Sequence, residues 1–151
     1  MKWLSLSLAL LLLAACAAQP QQQGVQLPGE DPSKTVLPDK DTSSAVMSLL
    51  EQAREATRAA DYQRAEVLLE RTVRIEPHNA SLWHYLSKLR LQQGRYQEAI
   101  GLANKSNNLT KDNKTLLADN WRIIAHAKYQ MGDYPGADKA QHKVDEIRNE
   151  Q

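Results

Sequence analysis

An all-α fold, an α-solenoid of three helix-turn-helix repeats and six helices, is predicted by three features of the chain. Residues 46–79, 80–113 and 118–151 are each 34 long and align, leaving only "KTLL" at 114–117 between the second and the third. In register, Tyr62, Tyr96 and Tyr134 coincide, as do Ala65, Ala99 and Ala137, the small residues Ala53, Ser87 and Ala125, and Trp83 with Trp121. Apolar residues recur at helical spacing, as in Ala65-Leu68-Leu69-Thr72-Ile75 and Ala137-Ala140-Val144-Ile147, which predicts two amphipathic helices per block. One block could not bury its apolar face alone; three stacked blocks can.

The first residues read as an export signal. Lys2 supplies positive charge, Leu4 to Leu13 an apolar stretch, and Ala14 and Ala15 the small residues before a cut. The apolar run from Trp3 to Ala18 is broken by Ser5 and Ser7 and is shorter than the roughly 20 residues a spanning helix needs. Cys16 is the only cysteine, so it has no partner for an intramolecular disulfide. The stretch "LAAC" at 13–16 resembles the lipobox of bacterial lipoproteins. That resemblance implies removal of a leader, 1–15, and acylation of Cys16. Three acyl chains would hold firmly, at about 0.8 kcal/mol per buried CH₂. Ala17 after the cysteine implies sorting to the outer membrane of a Gram-negative cell, with the domain facing the periplasm. Cleavage after Ala17 or Ala18, which would free the domain, is the other reading.

Residues 16–44 then comprise the anchor and a linker. From residue 17 to 44, Gln, Pro, Gly, Ser and Asp dominate and aromatics are absent, so the segment is expected to be a disordered tether. Its 28 residues reach at most roughly 90 Å, and nearer 30 Å as a flexible coil. The helical domain is expected over 45–151. Within it Asp61 and Asp133 suit helix N-caps, Pro135 a first turn, and Gly94 and Gly132 left-handed helix ends. Pro77 ends the first block, because the residue before proline is pushed out of the helical region.

A 34-residue period with these small residues, tyrosines and turns resembles the tetratricopeptide repeat. The resemblance implies that Trp83 and Trp121 are core residues and that the first helix of each repeat lines a concave, partner-binding groove. Carried over in register, the groove takes Leu50, Arg54 and Arg58 from the first repeat, beside Met47 and Thr57. The second repeat gives His84, Lys88 and Leu91 beside Ser81 and Gln92, and the third gives Arg122, His126 and Tyr129 beside Asp119 and Gln130. The set carries excess positive charge, which suits an acidic segment, with Leu50, Leu91 and Tyr129 as apolar anchors. Position 11, where the family expects a bulky apolar residue, holds Ala56, Arg90 and Lys128. There the helix is rotated, or the long stems turn their charges outward. The "KTLL" insertion is expected to lengthen a turn, and no separate capping helix follows the third repeat.

The leader would take Lys2 with it, leaving one basic residue fewer than the chain's 19, against 18 acidic ones. That balance argues against a nucleic-acid binder, which would carry a strongly basic face. No phosphate loop, His-Glu-x-x-His pair, Cys/His metal spacing or nucleophile motif occurs, so no enzyme, cofactor or metal is expected. Anchor, tether and repeats together resemble the LpoP-type activators of bifunctional, class A penicillin-binding proteins. The resemblance implies a lipoprotein that reaches from the outer membrane to a peptidoglycan synthase in the inner membrane. A pilotin or assembly factor for an outer-membrane machine, or an adaptor for a periplasmic protease or hydrolase, are the alternatives.

Overall fold

The computed structural model describes residues 36–110 and 112–150; the leader 1–15, Cys16 and the linker through residue 35 lie outside the described residues. Among the described residues there are six helices and no strand: α1 (Ser44–Arg58), α2 (Tyr62–Ile75), α3 (Ala80–Gln92), α4 (Tyr96–Leu109), α5 (Lys114–Gln130) and α6 (Tyr134–Asn149). Each helix packs on the next in sequence, and α3 also packs on α5. The result is the stack of helix pairs that the period predicts.

Short polar side chains set the helix starts. Ser43, Asp61, Asn113 and Asp133 accept hydrogen bonds from the backbone N–H groups of Val46, Arg64, Leu116 and Gly136. The turns inside the repeats need a left-handed residue. Gly94 (φ +73°) and Gly132 (φ +80°) supply it in the second and third, but Ala60 (φ +58°) holds the equivalent place in the first. Glycine has no Cβ to crowd that conformation and alanine does.

Inside a repeat the two helices meet over small side chains. Ala53 faces the level of Ala65, and Ser87 that of Ala99; all four are buried. Ser87 Oγ donates to the Ala99 carbonyl at 2.8 Å, so a larger side chain would push α3 from α4. Leu50, Leu69, Leu82, Leu86 and Leu89 fill the first core cluster, and Leu91, Ile123, Ile124 and Ala140 the second. Trp83 and Trp121 pack against these clusters half-buried, not enclosed within them. Asn120, fully buried, ties the second repeat to the third. Its Oδ1 accepts from His84 Nδ1 (2.8 Å), and its amide nitrogen donates to Ser106 Oγ (2.8 Å) and Asn107 Oδ1 (2.9 Å).

Several expectations are corrected. The "KTLL" residues do not lengthen a turn: capped by Asn113, they form the first turn of α5, whose Leu116 is buried. The tether does not run to residue 44. Residues 36–43 lie on the domain, with Val36 buried among Ala80, Leu109 and Leu116, because "VLP" is an apolar island in that polar segment. At position 11 the Arg90 charge turns inward rather than out. It lies 2.5 Å from Glu66, 3.0 Å from Glu70 and 3.4 Å from Glu98, forming an ion cluster between α2, α3 and α4. The outer face of α6 is more polar than that of α2. Where the first repeat buries Leu69 and Val73, the third exposes Gln141 and Asp145, the polar outer face a terminal repeat requires.

Two predictions follow from these joints. Ala60→Gly should stabilise by about 0.5–1 kcal/mol and Gly94→Ala should do the reverse, a change of roughly 2–5 °C in thermal midpoint for each. Thermal melts followed by circular dichroism at 222 nm check both signs. The second concerns Glu66, whose carboxylate is held down to about 2 by hydrogen bonds from Arg90 and Gln93. Unfolded, the same group takes its proton near 4.5, so its contribution is complete above that pH and is lost as pH falls from 4.5 to about 2. Glu66→Gln should lower stability by about 1–3 kcal/mol at pH 7, and urea melts should find the two chains converging toward pH 2.

Candidate partner-binding face

The sequence-predicted groove residues separate into two clefts with buried residues between them. The first cleft, of about 260 Å³, lies between α1 and α3 and brings Leu50, Arg54, Arg58 and Lys88 together with Tyr85 and Gln92. The second, of about 470 Å³, lies along α5 and α6 and is lined by Arg122, His126 and Tyr129 with Ala137, Asp138 and Gln141. His84 and Leu91 line neither: His84 is buried against Asn120, and Leu91 is enclosed in the second core cluster. Leu50 is also core, reaching the first cleft only as floor. Of the three expected apolar anchors, Tyr129 alone is open, at 59% exposure, stacked edge-on against Tyr134 at 5.2 Å.

The charges of the predicted face are largely matched. Arg54 Nη2 donates to Tyr85 Oη at 2.6 Å, its guanidinium lying 5.0 Å from the ring centroid, and its Nη1 is 3.7 Å from Glu51. Arg58 pairs with Glu55 at 2.6 Å and Glu51 at 3.3 Å, and hydrogen bonding to Glu55, then Glu51, raises its pKa. Arg122 pairs with Asp119, one turn back on α5. Burial lowers His126 below its ordinary value of 6.5, so it is neutral at pH 7 and adds no charge. Glu51 and Glu55 lie outside the family's groove positions, so a register carried over for cations alone misses them.

Sequence reasoning also missed Tyr85, one position from the predicted His84. Its ring packs against the first core cluster and edge-on against His84 at 5.6 Å. Burial pushes its hydroxyl above the ordinary value of 10, against the opposing pull of Arg54, so it stays protonated. Because Arg54 can only donate, the Tyr85 proton points elsewhere, to the Val36 carbonyl. Opposite the clefts of α1, α3 and α5, a third of about 530 Å³ runs between α2 and α4 over Trp83, with the Lys105 ammonium 5.9 Å from that ring.

Among the described residues no group of three or more His, Cys, Asp or Glu side chains could hold a metal ion. No helix among them is long and apolar enough to cross a membrane.

Comparisons with known proteins agree with this geometry. The family model of the tetratricopeptide repeat matches residues 56–119, from the end of α1 into α5. A search of curated proteins finds no match. Among solved structures, the globular C-terminal domain of P. aeruginosa LpoP is similar at 29% sequence identity with a TM-score of 0.66, over 68% of this chain and 97% of that one. The six helices therefore form an all-α helical-repeat fold that the tetratricopeptide-repeat model matches over residues 56–119, and over nearly the whole of that globular domain this chain is similar to LpoP in fold and in sequence.

Proposed function

We propose that the chain is a lipid-anchored, outer-membrane protein-interaction module that reaches through the periplasm and activates a bifunctional, class A penicillin-binding protein. The observation that carries this reading is the likeness to the LpoP globular domain, which spans 97% of that domain at 29% identity. The sequence upstream supports it with Cys16 in a lipobox-like stretch, followed by a polar, proline-rich segment.

In this reading the domain performs no chemistry. It supplies a rigid face from rigid helices, so that little ordering entropy is lost when a partner docks. Exposed Tyr129, which lines the second cleft, and Tyr134, packed edge-on against it, have the large, half-polar side chains that carry most binding energy at interfaces. Arg58 and Lys88 in the first cleft steer an acidic segment, and their effect falls with salt because exposed charges are screened over about 8 Å at physiological ionic strength. Arg54 and Arg122 serve mainly to hold Tyr85 and Asp119 in place.

The test is reconstitution. The purified chain, added to a class A penicillin-binding protein with lipid-linked glycan precursor, should accelerate polymerisation. Replacing Arg58, Lys88 and Tyr129 together by Ala should weaken the apparent affinity by tenfold or more, at 1.4 kcal/mol per decade, with a thermal midpoint within about 3 °C of the parent. No acceleration by the parent chain would reject the activator reading. Full activation by the folded triple variant would move the contact off this face. In cells, Cys16→Ala should abolish uptake of labelled fatty acid; a parent chain that takes up none would reject the anchor.

A further inference from the structure

The segment before α1 lies on the domain as a peptide lies in a groove. From Val36 to Asp39 it crosses the N-terminal half of α3. Tyr85 Oη donates to the Val36 carbonyl. One turn earlier on the same helix, Ser81 Oγ is 3.1 Å from the Leu37 carbonyl oxygen and 3.0 Å from Asp39 Oδ1, its single proton serving either acceptor. The side chains alternate as in an extended strand: Val36 is 5% exposed, and Leu37 is 71% exposed. Two hydroxyl donors four residues apart on one helix thus read successive carbonyls, while a small apolar pocket takes one side chain. Main-chain hydrogen bonds with a pocket for a selected side chain are the elements of extended-peptide recognition.

Three features make this a built site. Its apolar wall includes Leu116, which exists only because the four-residue insertion adds a turn to the start of α5. Its tyrosine is aimed by Arg54, which occupies the Tyr85 oxygen as acceptor and leaves the hydroxyl proton for a carbonyl. And it opens toward the first cleft, which is lined by Tyr85 itself with Arg54, Arg58 and Lys88. Only one side chain of the segment's first four residues is enclosed, and the chain turns away at Asp39, where the Thr42 amide donates to the Asp39 carbonyl.

We infer that residues 36–39 are an internal ligand, and that the same site takes, in exchange for them, an extended segment of a partner protein with an aliphatic residue followed three positions later by a carboxylate. Val36 and Asp39 define that spacing, and Ser81, Tyr85 and the Ala80–Leu109–Leu116 pocket are its receptor. The inference rests on the domain's being a protein-interaction module and is independent of which partner it serves. The internal segment competes at the millimolar effective concentration typical of a short covalent connection. An incoming segment must therefore gain further contacts, for which the adjoining first cleft is placed.

The experiment uses the chain without its leader and a fluorescent peptide, TVLPDKDTS, corresponding to residues 35–43. Val36→Asp should empty the site; Val36→Ser is carried in parallel as a milder change, and circular dichroism verifies the helices of both. By fluorescence anisotropy, the emptied chains should bind the peptide at least tenfold more tightly than the parent, whose site is filled. Tyr85→Phe in the Val36→Ser background should weaken that binding by roughly threefold to tenfold, and a peptide with its valine changed to aspartate should not bind. Equal binding to parent and variants, or no binding to a variant that retains its helices, overturns the inference. A synthase is absent from this assay, so failure here leaves the activator reading standing.

Discussion

Within the second repeat α3 and α4 approach so closely that a hydroxyl on one reaches a main-chain carbonyl on the other, Ser87 Oγ to Ala99 at 2.8 Å. That approach is possible because the facing positions hold only small side chains, and the equivalent positions of the first repeat, Ala53 and Ala65, are likewise small and buried in one core cluster. Once the pair is this tight, its large apolar side chains have nowhere to go except toward the neighbouring repeat. Leu86 and Leu89 of α3 consequently complete the cluster begun by α1 and α2, and Leu91 joins the cluster of α4 and α5. The stack is thus a consequence of close pairing, and the face formed by α1, α3 and α5 follows from the stack.

The joints between repeats differ in chemistry. Between the first and second, Arg90 sits among Glu66, Glu70 and Glu98, and Arg54 reaches across to Tyr85. Between the second and third, a buried amide takes over, as Asn120 joins Ser106, Asn107 and His84. Removing one partner from either network would leave a buried polar group unsatisfied, a larger loss than the net gain from forming it. These networks fix the register of one repeat on the next more sharply than interchangeable leucines would. They also account for His84, which the repeat register assigns to the binding groove and the structure gives to the joint.

Periodicity carried the fold because it samples the same constraint three times. The aligned alanines, the tyrosines that open α2, α4 and α6, and the two left-handed glycines each report one recurring piece of geometry. What the period could not convey was anything that occurs once. The "KTLL" insertion reads as a longer turn unless Asn113 is recognised as a cap and Leu116 as a buried residue. "VLP" is three residues in a polar stretch, too short to raise a composition average, yet Val36 finds a pocket whose wall the insertion's Leu116 completes beside Ala80 and Leu109. The groove residues suffered for a related reason. Position in a repeat gives a side chain's direction but not its neighbours, so Glu51 and Glu55, which match Arg58, went unweighed.

In the proposed function a partner docks on the side of the stack formed by the first helix of each repeat, with Tyr129 at its open edge and α4 on the other side. Photocrosslinking in living cells measures this directly. A photoreactive residue in place of Tyr129 should yield an adduct that mass spectrometry identifies as a class A penicillin-binding protein, and one in place of Lys105 on α4 should not. An adduct with that synthase from Lys105 and none from Tyr129 would contradict the account.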